Sequence, residues 1–147
     1  MENFKLENFK KEYGLDMPIE KHLSLYDCNV ILSCIYDKFH VYDVNDLFSK
    51  LENESIYVTS VENETINVED VFFNLGIIVS SNVFINWYKF DNIDSLSFRN
   101  LCRYFDDIWY PAIDDIEIFD ETCNWILSIR HYGIVSYLKS EESNNRK

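Results

Sequence analysis

The chain has few of the residues on which many small catalytic and binding motifs depend. Its 147 residues include only three glycines, two prolines and three histidines. A phosphate-binding loop needs clustered glycines and the common zinc motifs need closely spaced histidines, and neither spacing occurs. No glycine lies between Gly76 and Gly133, so the acidic stretch between them cannot contain an EF-hand calcium loop. The scarcity of glycine and proline also disfavours a β-sandwich with many tight turns.

Basic residues are scarce as well. Thirteen lysines and arginines face 26 aspartates and glutamates, which gives a formal net charge of -13 at pH 7. Binding to phosphate groups needs lysine and arginine, so we expect neither nucleic acid nor an anionic membrane as a partner. A surface of this charge favours a basic protein partner.

Long apolar runs and cysteine motifs are missing too. No run approaches the roughly 18 apolar residues of a membrane span. The opening residues, MENFKLENFKKEYG, lack the apolar segment of a secretory signal. The four cysteines show no CxxC spacing. We therefore expect reduced thiols and a cytoplasmic location.

Aromatic residues, in contrast, are abundant. Eleven phenylalanines, ten tyrosines and three tryptophans are present. Disordered chains are poor in aromatic residues, so this composition indicates a folded core despite the charge. The length fits one domain, which we place at residues 1–140, followed by a polar tail at 141–147.

Apolar periodicity in the first ninety residues predicts helices and short strands. Two capped helices resemble each other: VNDLFSKL follows Asp43, and VEDVFFNL follows Asn67 and precedes Gly76. Residues 43–61 and 67–88 are therefore a candidate duplicated helix–strand unit. The other predicted elements are a helix over 1–13 that ends at Gly14, a strand over 22–26, a helix over 28–39 capped by Asp27, and strands over 56–61 and 83–88.

The remaining residues predict one helix and then a β-meander. A polar segment over 91–95, in which Asp94 and Ser95 are the candidate caps, precedes a helix over 98–109, which ends near Pro111. Strands are predicted over 116–120, 124–131 and 134–139, and their two- or three-residue connections require antiparallel neighbours. Alternation in the middle strand predicts one face with Cys123, Trp125, Leu127 and Ile129 and another with Asn124, Ile126, Ser128 and Arg130. We expect a helix layer on one face of the meander and partial exposure of the other. The predicted fold class is α+β, with N-terminal helices and short strands packed on an antiparallel sheet.

The most unusual stretch runs from Tyr104 to Leu138. Seven carboxylates and no lysine or arginine lie between Asp106 and Glu121. Paired carboxylates can carry out acid–base chemistry, but adjacent residues on a strand or helix point in different directions and do not form a dyad. Cys123 and His131 could approach across the meander as a nucleophile and base, although a cysteine among apolar strand residues is more typical of core. We expect no catalytic residue, metal ion or cofactor.

The same stretch is better suited to binding a basic partner. Carboxylates accept charge-assisted hydrogen bonds from lysine and arginine, and aromatic rings add apolar and cation–π contacts. If the acids are exposed, exchanging Asp114 and Asp115 for lysine should slow association and leave thermal stability nearly unchanged. The predicted partner-binding residues are Asp106, Asp107, Trp109, Tyr110, Asp114, Asp115, Glu117, Asp120 and Glu121.

A resemblance points in the same direction. Residues 109–135, WYPAIDDIEIFDETCNWILSIRHYGIV, resemble the C-terminal part of bacterial immunity proteins that neutralise polymorphic toxins, including those of contact-dependent growth inhibition. The shared positions include Trp109-Tyr110-Pro111, Asp114-Asp115-Ile116 and Trp125-Ile126-Leu127. The resemblance implies a cytoplasmic, non-enzymatic protein that binds the active site of a cognate toxin domain, often a basic nuclease.

Two other functions fit parts of the sequence. A phage-type acidic mimic of DNA, which inhibits a host nuclease, would carry its acids in two rows at phosphate-like spacing. A small hydrolase would contain a deep pocket with a perturbed carboxylate or a cysteine–histidine pair.

Overall fold

The computed structural model describes residues 1–60, 66–79 and 81–141. Within these ranges, helices precede, interrupt and cover one antiparallel sheet. The helices are α1 (Asn3–Tyr13), α2 (Leu25–Phe39), α3 (Val44–Glu54), α4 (Val68–Leu75), α5 (Phe98–Arg103) and α6 (Phe105–Ile108). The strands are β1 (Lys21–His22), β2 (Ile56–Ser60), β3 (Asn82–Tyr88), β4 (Asn92–Ser97), β5 (Ile116–Phe119), β6 (Trp125–Ile129) and β7 (Ile134–Lys139).

The seven strands form a single sheet in the order β1-β4-β3-β5-β6-β7-β2. Every neighbouring pair is antiparallel. Strands β5, β6 and β7 form the predicted meander, with Ile118 opposite Leu127 and Leu127 opposite Tyr137. The α+β class and the C-terminal meander are therefore confirmed.

The sheet is covered by helices on both faces. On the first face, the side chains of β3, β5 and β6 pack with α1, α4, α5 and α6 around Phe72, Leu101 and Trp125. On the second face, Phe119 and Ile126 pack with α2 and α3. All nine residues of β5 and β6 are buried. The expected solvated face is therefore wrong: α2 and α3, which come much earlier in the chain, cover it.

Local capping explains why two helices were predicted correctly. The Asp43 carboxylate accepts a hydrogen bond from the Asp46 backbone N–H at 2.8 Å, and the Asn67 side chain does the same for Asp70 at 3.0 Å. Gly76 has φ 71°, the left-handed conformation that favours glycine at a helix end. The helices begin where these caps place them. Whether the two units are duplicates stays a prediction.

The start of α2 differs from the prediction by one turn. Ser24, and not Asp27, is the N-cap, because its hydroxyl accepts the Asp27 backbone N–H at 3.1 Å. The predicted strand over 22–26 shrinks to Lys21–His22 beside β4. Leu25 and Tyr26 lie in the first turn of the helix and are exposed, so the apolar pattern does not mark this turn.

The polar segment over 91–95 belongs to a strand. Residues Asn92–Ser97 form β4, and the true cap of the next helix is Ser97. Asp94 is only 2% exposed, and its carboxylate accepts hydrogen bonds from the Trp87 indole at 2.9 Å and the Met1 amino group at 2.5 Å. The predicted helix over 98–109 is divided at Tyr104, where φ -113° and ψ 22° leave the helical region.

Smaller differences lie at the element ends. Strand β5 ends at Phe119, one residue before the prediction, and β6 is shorter than predicted at both ends. The predicted last residue of β2, Val61, and residues 142–147 of the tail lie outside the described ranges. No helix in the described part of the chain has the length and apolar character to cross a membrane.

Candidate functional site

The nine predicted binding residues do not form one surface. Asp114, Glu117, Asp120 and Trp109 are buried, with 2–7% of each residue exposed. Asp115 precedes β5, whereas Glu121 follows it, so these two exposed carboxylates lie at opposite ends of a strand. The acidic cluster therefore divides into buried groups with partners inside the protein and exposed groups at separate places.

Asp114 is held inside the protein by Lys5, a lysine far from it in sequence that was not predicted to be its partner. The Lys5 side chain of α1 is fully buried, forms an ion pair with the Asp114 carboxylate and donates to the Ile108 carbonyl at 2.7 Å. The same carboxylate accepts the Tyr110 backbone N–H at 2.7 Å. The Trp109 indole donates to the Asp114 carbonyl at 2.9 Å. These contacts attach the segment that connects α6 with β5 to helix α1.

Aromatic rings surround the Lys5 ammonium group. It lies 4.5 Å from the centroid of the Trp87 ring and 4.6 Å from that of Tyr110. Cation–π contacts strengthen when the cation is removed from water. Burial nevertheless lowers the pKa of Lys5, and the hydrogen bond and charge of Asp114 oppose that change. Replacing Asp114 should therefore lower stability, whereas the sequence led us to expect almost no change.

Asp120 and Asp115 also have partners within the protein. Asp120 accepts the backbone N–H of Thr122 at 3.0 Å and closes the turn between β5 and β6. Asp115 accepts the backbone N–H of His131 at 2.7 Å and lies 3.0 Å from its Nδ1, which joins the start of β5 to the turn after β6. Asp115 is still about half exposed.

The exposed acids that remain together lie where α1 meets α6. We call this the α1–α6 surface and define it by Glu12, Tyr13, Asp106, Asp107 and Tyr110. Tyr13 donates its hydroxyl to the Asp107 carboxylate at 2.8 Å. Glu12 and Tyr13 come from the other end of the chain and were not predicted to join this site.

Electrostatic repulsion is concentrated on the α1–α6 surface. The charge of Asp107 raises the pKa of the exposed Glu12 carboxyl, and burial followed by the same charge raises the pKa of Asp106. The hydrogen bond to Asp107 raises the pKa of Tyr13 to about 12. The surface therefore holds carboxylates closer together than their mutual repulsion favours.

Ring packing keeps this surface in place. Tyr13 packs against Phe9 at 4.4 Å and against Tyr104 at 5.3 Å between ring centroids. Tyr110 makes an edge contact with Phe4 at 5.6 Å. Two cations of the protein contact these rings: the Arg103 guanidinium lies 5.2 Å from the Tyr104 ring centroid, and the buried Lys5 ammonium lies 4.6 Å from that of Tyr110. Rigid rings and acids on one surface lower the entropy cost of binding a cationic partner.

A second site lies on the other side of the molecule, on the second face of the sheet. Register places five polar residues opposite one another across neighbouring strands, so their side chains share one face. We call this row and the two cavities above it the polar trough. The row consists of Asn86, Glu117, Ser128, Ser136 and Tyr57.

Two adjoining cavities open over this row. The larger, of about 430 Å³, lies between α3, strands β2 and β7 and the turn after β6, and the smaller, of about 280 Å³, lies over the start of β5 and the end of β3. Phe48 and Arg130 line both cavities. Tyr57, Tyr88 and Tyr132 are each about 60% exposed and belong to their linings.

The centre of the polar trough is a buried carboxylate with two donors. Glu117 is 2% exposed and accepts from the Asn86 amide at 2.6 Å and from Arg130 Nη1 at 2.5 Å. Burial raises the pKa of Glu117, against the opposing effects of Arg130 and Asn86. Since each carboxylate oxygen already accepts a hydrogen bond, Glu117 is suited to holding Arg130 in place. It is poorly suited to taking a proton from a substrate.

Replacing Glu117 with glutamine should change how the free energy of unfolding depends on pH, because it removes a buried carboxyl that titrates. Between pH 4.5 and its raised pKa, folded Glu117 keeps a proton that the unfolded chain releases, so its contribution to stability falls as pH rises. Glutamine does not titrate. Urea unfolding should therefore show the free energy of wild type minus that of Glu117→Gln declining across this window and levelling above it. The exposed Glu121→Gln is the control. A difference that grows with pH would show that Arg130 dominates.

The cysteine–histidine pair does not form. Cys123 has φ 55° in the turn before β6 and packs with the second core, whereas His131 lies beyond the other end of β6. Burial raises the pKa of the Cys123 thiol. The core interpretation therefore fits, although Cys123 does not share the face of Trp125 as the alternation predicted. Among the described residues, no three His, Cys, Asp or Glu side chains are grouped to hold a metal ion.

Some of these residues were within reach of the sequence. Alternation along β6 placed Ser128 and Arg130 on one face, and that is where the polar trough lies. Lys5, Glu12 and Asn86 carried no local signal, because their partners are 31–109 residues away or on another element. Comparisons with protein-family models, curated proteins and solved structures find no match for this chain.

Proposed function

We propose that this protein is an immunity-type inhibitor that binds a basic toxin domain and contacts it first at the α1–α6 surface.

 The observation that carries the proposal is the clustering of carboxylates at this surface: Asp107 accepts the hydroxyl of Tyr13, which is 40% exposed, at 2.8 Å, and its charge repels that of the exposed Glu12. A lysine or arginine of a partner relieves such repulsion and gains contact with the rings. The net charge of -13 adds a long-range attraction for a basic protein.

Inhibition would follow from simple occupation of a basic groove. Carboxylates on a rigid support take the place of substrate phosphates, and the rings exclude water around them. The buried acids Asp114, Glu117 and Asp120 contribute only to the support, because their oxygens bond inside the protein. The resemblance of residues 109–135 to immunity proteins agrees with this role.

The direct test is partner capture and rescue. The product of the open reading frame next to the gene is expressed with this protein, and we expect a basic protein that co-purifies at moderate salt and whose growth arrest is relieved. If no basic protein is retained, the proposal fails. If the retained protein is instead a host restriction or CRISPR nuclease, the DNA-mimic alternative replaces it.

Removing two charges from the α1–α6 surface should slow binding. For Asp106→Asn with Asp107→Asn, we expect the association rate to fall roughly three- to tenfold at low salt, because steering depends on local charge. Stopped-flow or surface-plasmon measurements against the captured partner give this rate. The matched control is Glu52→Gln with Glu54→Gln, which removes the same charge from exposed residues of α3. Equal slowing in both variants would place the interface elsewhere.

A further inference from the structure

The polar trough contains hydrogen-bonding groups that the protein itself leaves unused. The hydroxyl oxygens of Ser55 and Ser128 are buried and have no hydrogen-bond partner in the part of the chain that the structure describes. Ser55 lines the larger cavity, and Ser128 lies in the polar row between Glu117 and Ser136. A buried hydroxyl without a partner is costly, and native proteins retain few of them. Ser55, which lines a cavity, therefore indicates a place that a ligand completes, whereas Ser128 lines neither of the two cavities.

Arg130 gives this site its direction. Its guanidinium is held by Glu117 through Nη1, and its side chain, 23% exposed, lines both cavities. A guanidinium has five N–H donors in a planar fork, so donors remain for a ligand after this bond. Because Glu117 fixes the fork in advance, a ligand need not order it.

The charges around the polar trough select against anions. Glu117 already neutralises Arg130, and Asp115 and Glu52 add negative charge to the linings. Lys89 is the other cation there, and its ammonium lies 5.2 Å from the Tyr88 ring centroid. A ligand carboxylate that bound Arg130 would share one guanidinium with Glu117, and the two negative charges would repel each other. An uncharged acceptor avoids this repulsion and fits better.

We infer that the polar trough binds an uncharged planar ligand with an amide edge, whose carbonyl accepts from Arg130 and whose ring lies against the tyrosines of the rim. An amide also has an N–H, for which the Ser55 and Ser136 hydroxyls and Glu52 are acceptors on the lining of the larger cavity. Tyr57 and Tyr132 supply exposed rings on the same cavity. This site is separate from the α1–α6 surface and does not depend on the proposed function.

The test uses two probes of similar shape, of which only benzamide is uncharged and carries an amide N–H. Benzamide and benzoate are titrated to roughly 10 mM, a concentration suited to ligands of so few atoms, while ¹H–¹⁵N spectra follow the backbone amides of the trough. We expect benzamide to shift these signals in a saturable way and benzoate to bind at least about tenfold more weakly. Equal binding of the two probes, or no shift with either, overturns the inference.

Two variants locate the binding. Arg130→Lys keeps the charge beside Glu117 but loses the planar fork, and we expect benzamide affinity to fall about tenfold. Tyr132→Ser should weaken binding severalfold, whereas Tyr42→Ser, an exposed tyrosine outside the trough, should not. Unchanged affinity in Arg130→Lys, with a wild-type melting temperature, rejects the role of the guanidinium.

Two natural sources carry this chemistry, and further titrations separate them. Uridine presents the amide edge of a free nucleobase, and N-acetyl-phenylalaninamide presents the amide of a peptide beside an aromatic ring. Tighter binding of uridine assigns the trough to a small heterocycle, and tighter binding of the peptide amide assigns it to a protein segment. Failure of both, when benzamide also fails, overturns the inference.

Discussion

Replacing Asp114 with alanine is expected to lower the free energy of unfolding by about 3–5 kcal/mol, the usual cost of removing one partner from a buried ion pair. The Lys5 side chain is fully buried. Among the described residues, Asp114 is the carboxylate that forms an ion pair with it. Without it, the lysine keeps the Ile108 carbonyl and the Trp87 and Tyr110 rings, but loses the carboxylate in direct contact with it. Urea unfolding at pH 7 measures the loss.

The neighbouring residue provides the control. Asp115→Ala removes the same chemical group one position along, but Asp115 is about half exposed and its ion pair with His131 is open to water. Exposed pairs contribute about 0–1 kcal/mol. If both variants lose equally little, the buried pair is not a major source of stability.

The pH dependence of the loss provides a second check. Burial lowers the pKa of Lys5, and removing Asp114 takes away the groups that oppose this change. At a pH above the lowered pKa the folded lysine is neutral while the unfolded one stays charged up to its ordinary value of 10.5. Stability of Asp114→Ala should therefore recover as pH rises through that window. A loss that is constant with pH would point to lost hydrogen bonds and not to charge.

Adding Lys5→Met to Asp114→Ala should recover part of the stability. An apolar side chain in the same space removes the charge that the single variant leaves buried. The Tyr110 backbone N–H stays without its acceptor, so recovery is incomplete. A double variant no more stable than Asp114→Ala would mean that the ammonium was not the source of the loss.

This ion pair also shows what sequence reasoning could not reach. Residues 106–121 include seven acids and no lysine or arginine. The partner of Asp114 is Lys5, which lies 109 positions away in sequence. Asp94 in β4 is similar: it looked like a helix cap, yet its partners include an amino group 93 positions away. Burial of a charge is decided by such distant partners, and one sequence does not reveal them.

Local signals were sufficient elsewhere. The caps Asp43 and Asn67 act on backbone groups three residues away, so the starts of α3 and α4 followed directly from the sequence. The meander followed from its short connections, which permit only antiparallel neighbours. The polar trough needed more, because its row depends on the register of five strands, and its pairings β3–β5 and β2–β7 join strands that are not consecutive in the chain.

Replacing Asn86 with alanine is expected to lower the free energy of unfolding by about 2–4 kcal/mol, because several buried groups lose their partner at once. The side-chain oxygen of Asn86, Oδ1, accepts hydrogen bonds from the backbone N–H of Phe90 at 2.8 Å and from that of Tyr88 at 3.2 Å. Its amide donates to Glu117 at 2.6 Å. Asn86 is 1% exposed, so water cannot readily replace these bonds.

The turn that Asn86 supports is itself strained. Lys89 and Phe90 have φ 48° and 59°, values that residues with a Cβ rarely adopt. Glycine tolerates this conformation, and left-handed backbone costs other residues roughly 1–2 kcal/mol. The Asn86 side chain offsets this cost by accepting two backbone hydrogen bonds of the turn. Without them, the turn keeps the bond from the Asp91 N–H to the Tyr88 carbonyl at 3.0 Å but loses this part of the compensation.

The matched control is Asn82→Ala, which changes the same residue type in the same strand. The Asn82 amide bonds at the surface to Glu20, at 2.6 Å, so its loss should cost much less. Lys89→Gly, added to Asn86→Ala, should restore about 1 kcal/mol by relieving the left-handed backbone. Urea unfolding of the four proteins separates the contributions. If Asn82→Ala is as costly as Asn86→Ala, the buried bonds do not explain the loss; if Lys89→Gly restores nothing, the turn is not strained.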